Sequence, residues 1–136
     1  MIVDAKDLIV GRLATVVSKK ALMGEKIDIV NCEKAIITGK KTEIYSRLKK
    51  KVDRGSPLKG PFFQAMPDRF VRRVIRGMLP YDQYKGKIAY KRIMCHIGVP
   101  EEFRNQKVET IKNANISNST TLAYLTVGEI CKHLRK

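Results

Sequence analysis

Four arginines share one side of a predicted helix in the middle of the chain. At about 100° per residue, Arg69, Arg72, Arg73 and Arg76 fall within an arc of roughly 100°, and apolar side chains of residues 67–80 occupy the opposite side. No Asp or Glu stands between them, although surface helices commonly mix acidic and basic residues to gain side-chain pairs one turn apart. Guanidinium groups bind anionic oxygens in a bidentate manner. The pattern indicates a face that meets an anionic partner; a solvated basic stripe is the alternative.

The ends of this helix are also marked in the sequence. Pro67 has the fixed φ of a first helical turn, Asp68 places a carboxylate near the positive end of the helix dipole, and Pro80 cannot continue the hydrogen-bond ladder. The predicted core-facing residues are Phe70, Val71, Val74, Ile75, Met78 and Leu79. Gly77 is either a left-handed residue that ends the helix or a point where another backbone comes close.

The basic charge is concentrated in one part of the chain. The net charge is +15 over 136 residues, and residues 39–92 alone hold sixteen basic and four acidic side chains, a net of +12. Such a basic middle between balanced ends is typical of a surface that binds a polyanion. The candidate binding residues are all the Lys and Arg of this segment: Lys40, Lys41, Arg47, Lys49, Lys50, Lys51, Arg54, Lys59, Arg69, Arg72, Arg73, Arg76, Lys85, Lys87, Lys91 and Arg92.

Strand and helix patterns alternate along the chain. Short apolar or alternating runs predict strands over about 2–5, 26–31, 35–38 and 94–98, and helical spacing predicts helices over about 11–22, 40–54, 67–80 and 87–92. A last helix begins at a capping box, Thr126-Val127-Gly128-Glu129, with Val127, Ile130 and Leu134 facing inward. The alternation predicts a single α/β domain over residues 1–136, with three α/β/α layers and a small, at least partly parallel sheet covered on both faces.

Two loops have some features of nucleotide-binding sites. The turn at Gly11 has one glycine where a dinucleotide fingerprint needs three. Residues 38–42 follow a predicted strand and open a helix, but a phosphate-binding loop requires glycine where Lys34 stands and Ser or Thr where Lys41 stands. Nucleotide binding is not expected, although basic side chains and backbone donors at this helix start can still meet a phosphate.

The three cysteines do not form a recognisable framework. Cys32, Cys95 and Cys131 are an odd number with no CxxC pair, which argues against disulfides. A zinc site from Cys95, His96, Cys131 and His133 has none of the usual spacings, and no activating environment for a Cys–His nucleophile is visible. Inert thiols are the favoured interpretation, and we expect no metal, no cofactor and no small-molecule substrate.

Composition excludes other classes of protein. Hydrophobic residues make up 43% of the chain, too many for a disordered protein, and no apolar run reaches the length of a membrane span. The first residues lack the basic and apolar regions of a signal peptide, so the expected location is cytoplasmic, away from membranes.

Residues 55–63 form a Gly/Pro-rich loop. It ends in Phe62 and Phe63, for which packing at a core edge is favoured over stacking on unpaired bases.

Several motifs together resemble one known family. Arg76-Gly77-Met78-Leu79-Pro80 resembles the hallmark of the universal large-subunit ribosomal protein family called L-thirteen. The resemblance continues, in the family's order, through residues 4–5, 11–14, 30–33, 38–41, 60–62 and 98–102. The loop Gly60-Pro61-Phe62 resembles that of the archaeal branch. Gln64-Ala65-Met66 and Asp82-Gln83-Tyr84 depart from the more basic family pattern, so these positions are not candidate contacts.

The resemblance implies a structural, non-enzymatic constituent of the large ribosomal subunit. It implies an α/β domain bound to large-subunit ribosomal RNA (rRNA) beside neighbouring ribosomal proteins, with a role early in subunit assembly. The basic segment 39–92 is then expected to bind RNA phosphates. A DNA-binding architectural protein would share the charge and is the alternative. A small α/β enzyme would need a catalytic constellation, and none is visible.

Overall fold

The computed structural model describes residues 1–135. Five strands and five helices are present in this part of the chain, joined in places by one-turn 3-10 helices. In chain order the elements are β1 (Ile2–Asp4), α1 (Val10–Leu22), β2 (Ile27–Val30), β3 (Ile36–Thr38), α2 (Lys41–Val52), α3 (Pro67–Met78), α4 (Tyr84–Lys91), β4 (Ile93–Cys95), β5 (Tyr124–Thr126) and α5 (Val127–Arg135).

The central sheet is parallel, with strand order β1-β2-β4. A single bridge from Val3 to Glu109, also parallel, extends it beyond β1. Ile27, Ile29 and Ile93 point to one face, where they are fully buried in a core shared with α1, α3 and α4. The α/β class and the partly parallel sheet are therefore confirmed.

The opposite face of the sheet is buried unevenly: Ile2 and Val30 are at most 8% exposed, whereas the part around β4 is more open. Asp28 and Met94 pair there across β2 and β4, and Met94 is 40% exposed. His96 lies 3.3 Å from the Asp28 carboxylate (Nε2 to Oδ1), and Phe103 of a one-turn helix packs edge-on against the His96 ring. Around β4 this face is thus covered in part by a one-turn helix within the connection after β4.

The remaining strands form a separate antiparallel pair, β3-β5, beside which α2 packs against α5. The sequence did not predict β5, because in three residues only Leu125 is buried and no periodicity can develop. The capping box of α5 is confirmed: the Thr126 amide donates to Glu129 Oε2 at 3.0 Å, and the Glu129 amide donates to Thr126 Oγ1 at 3.3 Å. Val127 and Ile130 are buried, as expected, and Leu134 is half-buried.

Helix α4 begins at Tyr84, three residues before its predicted start at Lys87. The sequence places Gly86 in the preceding connection, but the residue is buried inside the helix. A Cβ atom at this position would clash with the Pro80 carbonyl group. The glycine therefore permits α4 to pack directly against the end of the preceding segment, a reason that is invisible in the local sequence.

None of the helices within residues 1–135 is long and apolar enough to cross a membrane.

Candidate nucleic-acid interface

An open groove of about 1170 Å³ lies between α2 and α3. Arg47 and Lys51 project into it from α2, and four arginines line it from α3, namely Arg69, Arg72, Arg73 and Arg76. Residues 61–64 of the Gly/Pro-rich loop and Tyr90 of α4 complete the wall. We call this feature the basic groove. The fold thus brings together six of the sixteen predicted binding residues.

The apolar faces of the two helices orient these side chains. Phe70, Val71 and Ile75 of α3 are at most 6% exposed, so the arginines of that helix must turn away from the core. Ile44 and Leu48 anchor α2 in the same manner. Helix α3 begins at Pro67 and ends at Met78, before Pro80, as predicted from the two prolines.

Two of the six arginine and lysine side chains are held by tyrosine rings. The guanidinium carbon of Arg76 lies 3.8 Å from the centroid of Tyr81, and that of Arg72 lies 4.3 Å from the centroid of Tyr90. Arg72 also donates hydrogen bonds from Nε to the Ile93 carbonyl (3.0 Å) and from Nη2 to the Tyr90 carbonyl (3.4 Å). Arg72 therefore both lines the groove and ties α3 to α4 and β4.

The other two arginines of α3 are more loosely held. Arg69 donates to the Gln64 side-chain oxygen at 3.3 Å, which links the helix to the loop, and Arg73 is exposed. Gln64 thus supplies an acceptor that orients the Arg69 side chain.

Acidic side chains do not neutralise the basic groove. Within residues 1–135 the one ion pair that includes a Lys or Arg is Arg104–Glu101, at 4.0 Å, and both its side chains are largely exposed. No Lys or Arg of residues 39–92 lies within 4.0 Å of a carboxylate in this part of the chain. The positive potential of the groove is therefore free to attract an external anion.

The loop phenylalanines have different environments. Phe63 is half-buried and packs edge-on against Phe70, with ring centroids 6.1 Å apart, so core-edge packing is confirmed for this residue. Phe62 is 65% exposed, and the same expectation is wrong for it. The sequence could not separate two adjacent aromatic residues, because the direction of each depends on the path of the loop.

Comparison with known proteins shows which family this chain matches. The family model described as Ribosomal protein L13 matches residues 1–102, about three-quarters of the chain. The chain is 44% identical over 135 residues to the large ribosomal subunit protein uL13 of Methanopyrus kandleri, with 98% of this chain and 85% of that protein covered. It is 42% identical to uL13 of Archaeoglobus fulgidus (98% and 86% covered) and 42% identical to uL13 of Methanococcus maripaludis (98% and 96% covered).

This chain belongs to the ribosomal protein L13 family. The resemblance seen in the sequence is confirmed, including its similarity to archaeal members. The motif at residues 76–80 that resembles the family hallmark begins inside α3 and ends just after it, and its first two residues, Arg76 and Gly77, line the basic groove.

The other predicted binding residues of this L13 protein lie outside the basic groove. Lys50 and Arg54 share a shallower cavity of about 750 Å³ with Arg47 and Lys51 on the second flank of α2. The remaining exposed residues are Lys40, Lys41 and Lys49 on or next to α2, Lys59 in the loop, and Lys85, Lys87 and Lys91 on α4. Arg92, between α4 and β4, is half-buried and donates to the Ala21 carbonyl at 3.3 Å, so it links this junction to α1.

The hallmark residues have unequal roles in the L13 protein. Leu79 is 6% exposed and packs in the core as expected, whereas Met78 is 43% exposed and the expectation of core packing is wrong. Met78 instead receives a contact from Thr15 Oγ1 at 3.6 Å. Gly77 has no positive φ, and a Cβ atom there would meet no atom within 4 Å. Neither explanation offered for this glycine therefore holds within the protein.

The cysteines and histidines of the L13 protein do not assemble into a metal site within residues 1–135. No group of three or more His, Cys, Asp or Glu residues within positions 1–135 is placed to hold a metal ion. His133 instead stacks on Tyr45, with ring centroids 4.0 Å apart. A hydrogen bond with Cys32, together with burial, raises the pKa of the Cys95 thiol, and burial raises the pKa of Cys131 to about 11. Both remain protonated thiols near neutral pH, which makes them poor nucleophiles.

Sequence reasoning missed the residues that organise the arginines. Tyr81 and Tyr90 reach Arg76 and Arg72 from outside α3, across five and eighteen residues of chain. No helical or strand period connects positions so far apart. The only signal in the sequence was the presence of aromatic residues in a basic segment.

Proposed function

We propose that this L13-family protein is a structural constituent of the large ribosomal subunit and binds large-subunit rRNA in the basic groove. The observation that carries this proposal is the convergence of six cationic side chains from α2 and α3 with no carboxylate partner among residues 1–135. A dense polyanion whose phosphates are spaced along a chain is the ligand that such a groove accommodates. The similar proteins are named as large ribosomal subunit proteins, which supports the RNA of that subunit as the polyanion.

The mechanism is neutralisation and positioning rather than catalysis. Arginines bind phosphate oxygens through paired N–H donors, and lysines add less directional charge. A-form RNA presents its phosphates and shallow groove to a protein while its deep groove hides the base edges. Recognition therefore depends on the shape of the folded rRNA and on phosphate contacts, with the core holding both basic helices at a fixed separation.

An exposed phenylalanine adds a second type of contact. Phe62 stands at the rim of the groove with 65% of its surface free, close to the cations that meet the backbone. Stacking of an unpaired base on this ring supplies binding energy that duplex nucleic acid cannot provide. This contact favours structured RNA with unpaired nucleotides over a DNA duplex.

Binding measured at several salt concentrations tests the proposal. The full-length protein is titrated against transcripts of large-subunit rRNA domains and against a DNA duplex of equal length. We expect one rRNA domain to bind more tightly than the duplex, with log affinity falling against log salt at a slope of about −4 to −5 if about six phosphates are met. Equal affinity for duplex DNA would favour an architectural DNA-binding protein, and a flat salt dependence would point to a protein partner.

Early incorporation into the subunit belongs to the same proposal. A protein that neutralises phosphates of folded rRNA is most useful before the particle becomes compact. Pulse-labelled precursors of the large subunit should therefore already contain this protein, next to neighbouring ribosomal proteins of the cytoplasmic particle. Its appearance only in mature subunits would contradict an assembly role.

A further inference from the structure

Two tyrosines and two arginines form a continuous row of contacts at the basic groove, and three of them, Arg72, Arg76 and Tyr90, line it directly. Arg76 lies 3.8 Å from the Tyr81 ring centroid, and Arg72 lies 4.3 Å from that of Tyr90. The two rings contact each other edge-to-face, with centroids 5.5 Å apart and planes at 88°. We call these four residues the arginine–tyrosine row. It joins α3, the segment after Pro80 and α4 in one arrangement.

The two guanidinium groups differ in the donors that remain free. Arg72 uses Nε and Nη2 for hydrogen bonds to the carbonyl groups of Ile93 and Tyr90. The guanidinium of Arg76 makes no hydrogen bond to residues 1–135, although Arg76 is half-buried and its guanidinium carbon lies over the Tyr81 ring. Arg76 is thus held by its face, while the donors around its edge stay open to the groove.

A guanidinium held in this way is prepared for a phosphate. The donors of arginine lie in the plane of the group and match two phosphate oxygens at once, whereas stacking on an aromatic ring occupies only the face. A side chain that is already ordered loses less conformational entropy when it binds. Cation–π contact strengthens further when the pair is removed from water, as it is beneath a bound RNA.

We infer that Tyr81 is a positioning residue that holds Arg76 for bidentate contact with a phosphate of the bound RNA. Tyr90 supports the row from the other end, through both Tyr81 and Arg72. The inference rests on the proposed function, since it assigns the geometry of one phosphate contact within that groove. Arg76 then differs from Arg73, which is exposed and presents charge without a fixed orientation.

Replacement of arginine by lysine separates geometry from charge. Arg76→Lys keeps the positive charge but removes the paired N–H donors and the planar group that contacts the Tyr81 ring. We therefore expect affinity for the rRNA domain to fall about tenfold or more. Arg73→Lys should cost less, about threefold, because lysine supplies an equivalent mobile charge. Arg104→Lys, at an exposed position outside residues 39–92, is the matched control and should bind like the unaltered protein.

Replacement of the tyrosine tests its positioning role. Tyr81→Leu should lower affinity about fivefold, whereas Tyr81→Phe retains the ring face and should stay within about twofold. The decisive measurement is a double-mutant cycle. In an Arg76→Ala background, Tyr81→Leu should have no further effect on affinity, because the group that it positions is already gone. A tyrosine that only supports the fold would lower affinity equally in both backgrounds.

The outcomes distinguish this inference from the proposed function. Additive effects of Tyr81→Leu and Arg76→Ala, or equal losses from Arg76→Lys and Arg73→Lys, overturn the inference while rRNA binding by the unaltered protein stands. Absence of salt-dependent rRNA binding by the unaltered protein overturns the proposed function itself. Thermal unfolding of each variant identifies those that bind weakly because they fold poorly, and Arg76→Lys, which removes no buried apolar group, then decides.

Discussion

Helices α2 and α3 are both basic and amphipathic, yet they hold their charges in different ways. The cations near the end of α2 are mainly lysines, and Lys49, Lys50 and Lys51 are all exposed. On α3 the cations are all arginines; Tyr81 and Tyr90 hold two of them, and a third, Arg69, donates to the Gln64 side chain. One helix carries mobile charge, and the other carries oriented donors.

This difference indicates a division of labour between the two helices. Mobile, strongly hydrated lysines attract phosphates over several ångströms and tolerate variation in the RNA path. Oriented guanidinium groups form paired hydrogen bonds only with an RNA backbone whose phosphates lie at the matching position and angle. We therefore expect α2 to determine mainly the salt dependence of binding, and α3 to determine mainly its geometric selectivity.

Charge reversal on α3 should have the largest effect. In the triple variant Arg69→Glu, Arg73→Glu and Arg76→Glu, we expect affinity for the rRNA domain to fall by about a hundredfold or more, because repulsion replaces several charge-assisted hydrogen bonds. Arg72 is left unchanged, since its bonds to the Ile93 and Tyr90 carbonyl groups support the fold. Filter binding measures the affinity, and thermal unfolding checks the fold.

A control for that variant lies on the first part of the chain. Lys19→Glu with Lys26→Glu reverses two exposed charges outside residues 39–92. This pair should lower affinity far less than any two reversals on α3. Similar losses in both variants would mean that net charge alone, and not the basic groove, determines binding.

Neutralisation of α2 should have a smaller effect with a different signature. For the variant Lys49→Gln, Lys50→Gln and Lys51→Gln, we expect the slope of log affinity against log salt to become shallower by about 0.7–0.9 for each phosphate that the protein no longer neutralises. Selectivity among rRNA domains should be nearly retained. The measurement is the same titration at several salt concentrations. A steep fall in selectivity without a change of slope would reverse the roles assigned to the two helices.

A single methyl group on α3 should give the smallest effect. Gly77 lies on the groove wall in a helical conformation with open space around its Cα atom, so Gly77→Ala should stabilise the free protein by about 0.5–1 kcal/mol. We expect the same change to weaken rRNA binding severalfold, because the added group would keep oriented donors away from the RNA backbone. Thermal unfolding measures the expected gain in stability, and the binding titration measures the expected loss of rRNA affinity.

Another glycine provides the contrast for that experiment. Gly86→Ala should destabilise the protein, because its Cβ atom would clash with the Pro80 carbonyl group. Higher stability together with unchanged rRNA affinity for Gly77→Ala would show that α3 does not approach the RNA closely at residue 77.

Much of the framework followed from local patterns. The bounds of α3 came from Pro67 and Pro80, the start of α5 from its capping box, and the location of charge from a simple count over residues 39–92. These features depend on backbone sterics, on hydrogen bonds within four residues and on composition. They can therefore be predicted from residues that are close together in the sequence. The family resemblance, which the family model confirms over residues 1–102, likewise depends only on the order of the amino acids in the sequence.

Tertiary structure alone decided how the cations work together. The sequence treats Arg69, Arg72, Arg73 and Arg76 as equivalent members of one helical face, but packing gives them different partners. Those partners, among them Tyr81 and Tyr90, reach the arginines only because α3, α4 and β4 meet in the folded core. The groove itself also needs Arg47 and Lys51, carried by α2 on the opposite wall. Periodicity gives the direction of a side chain relative to its own helix; its distance from another helix is set by the core that lies between them.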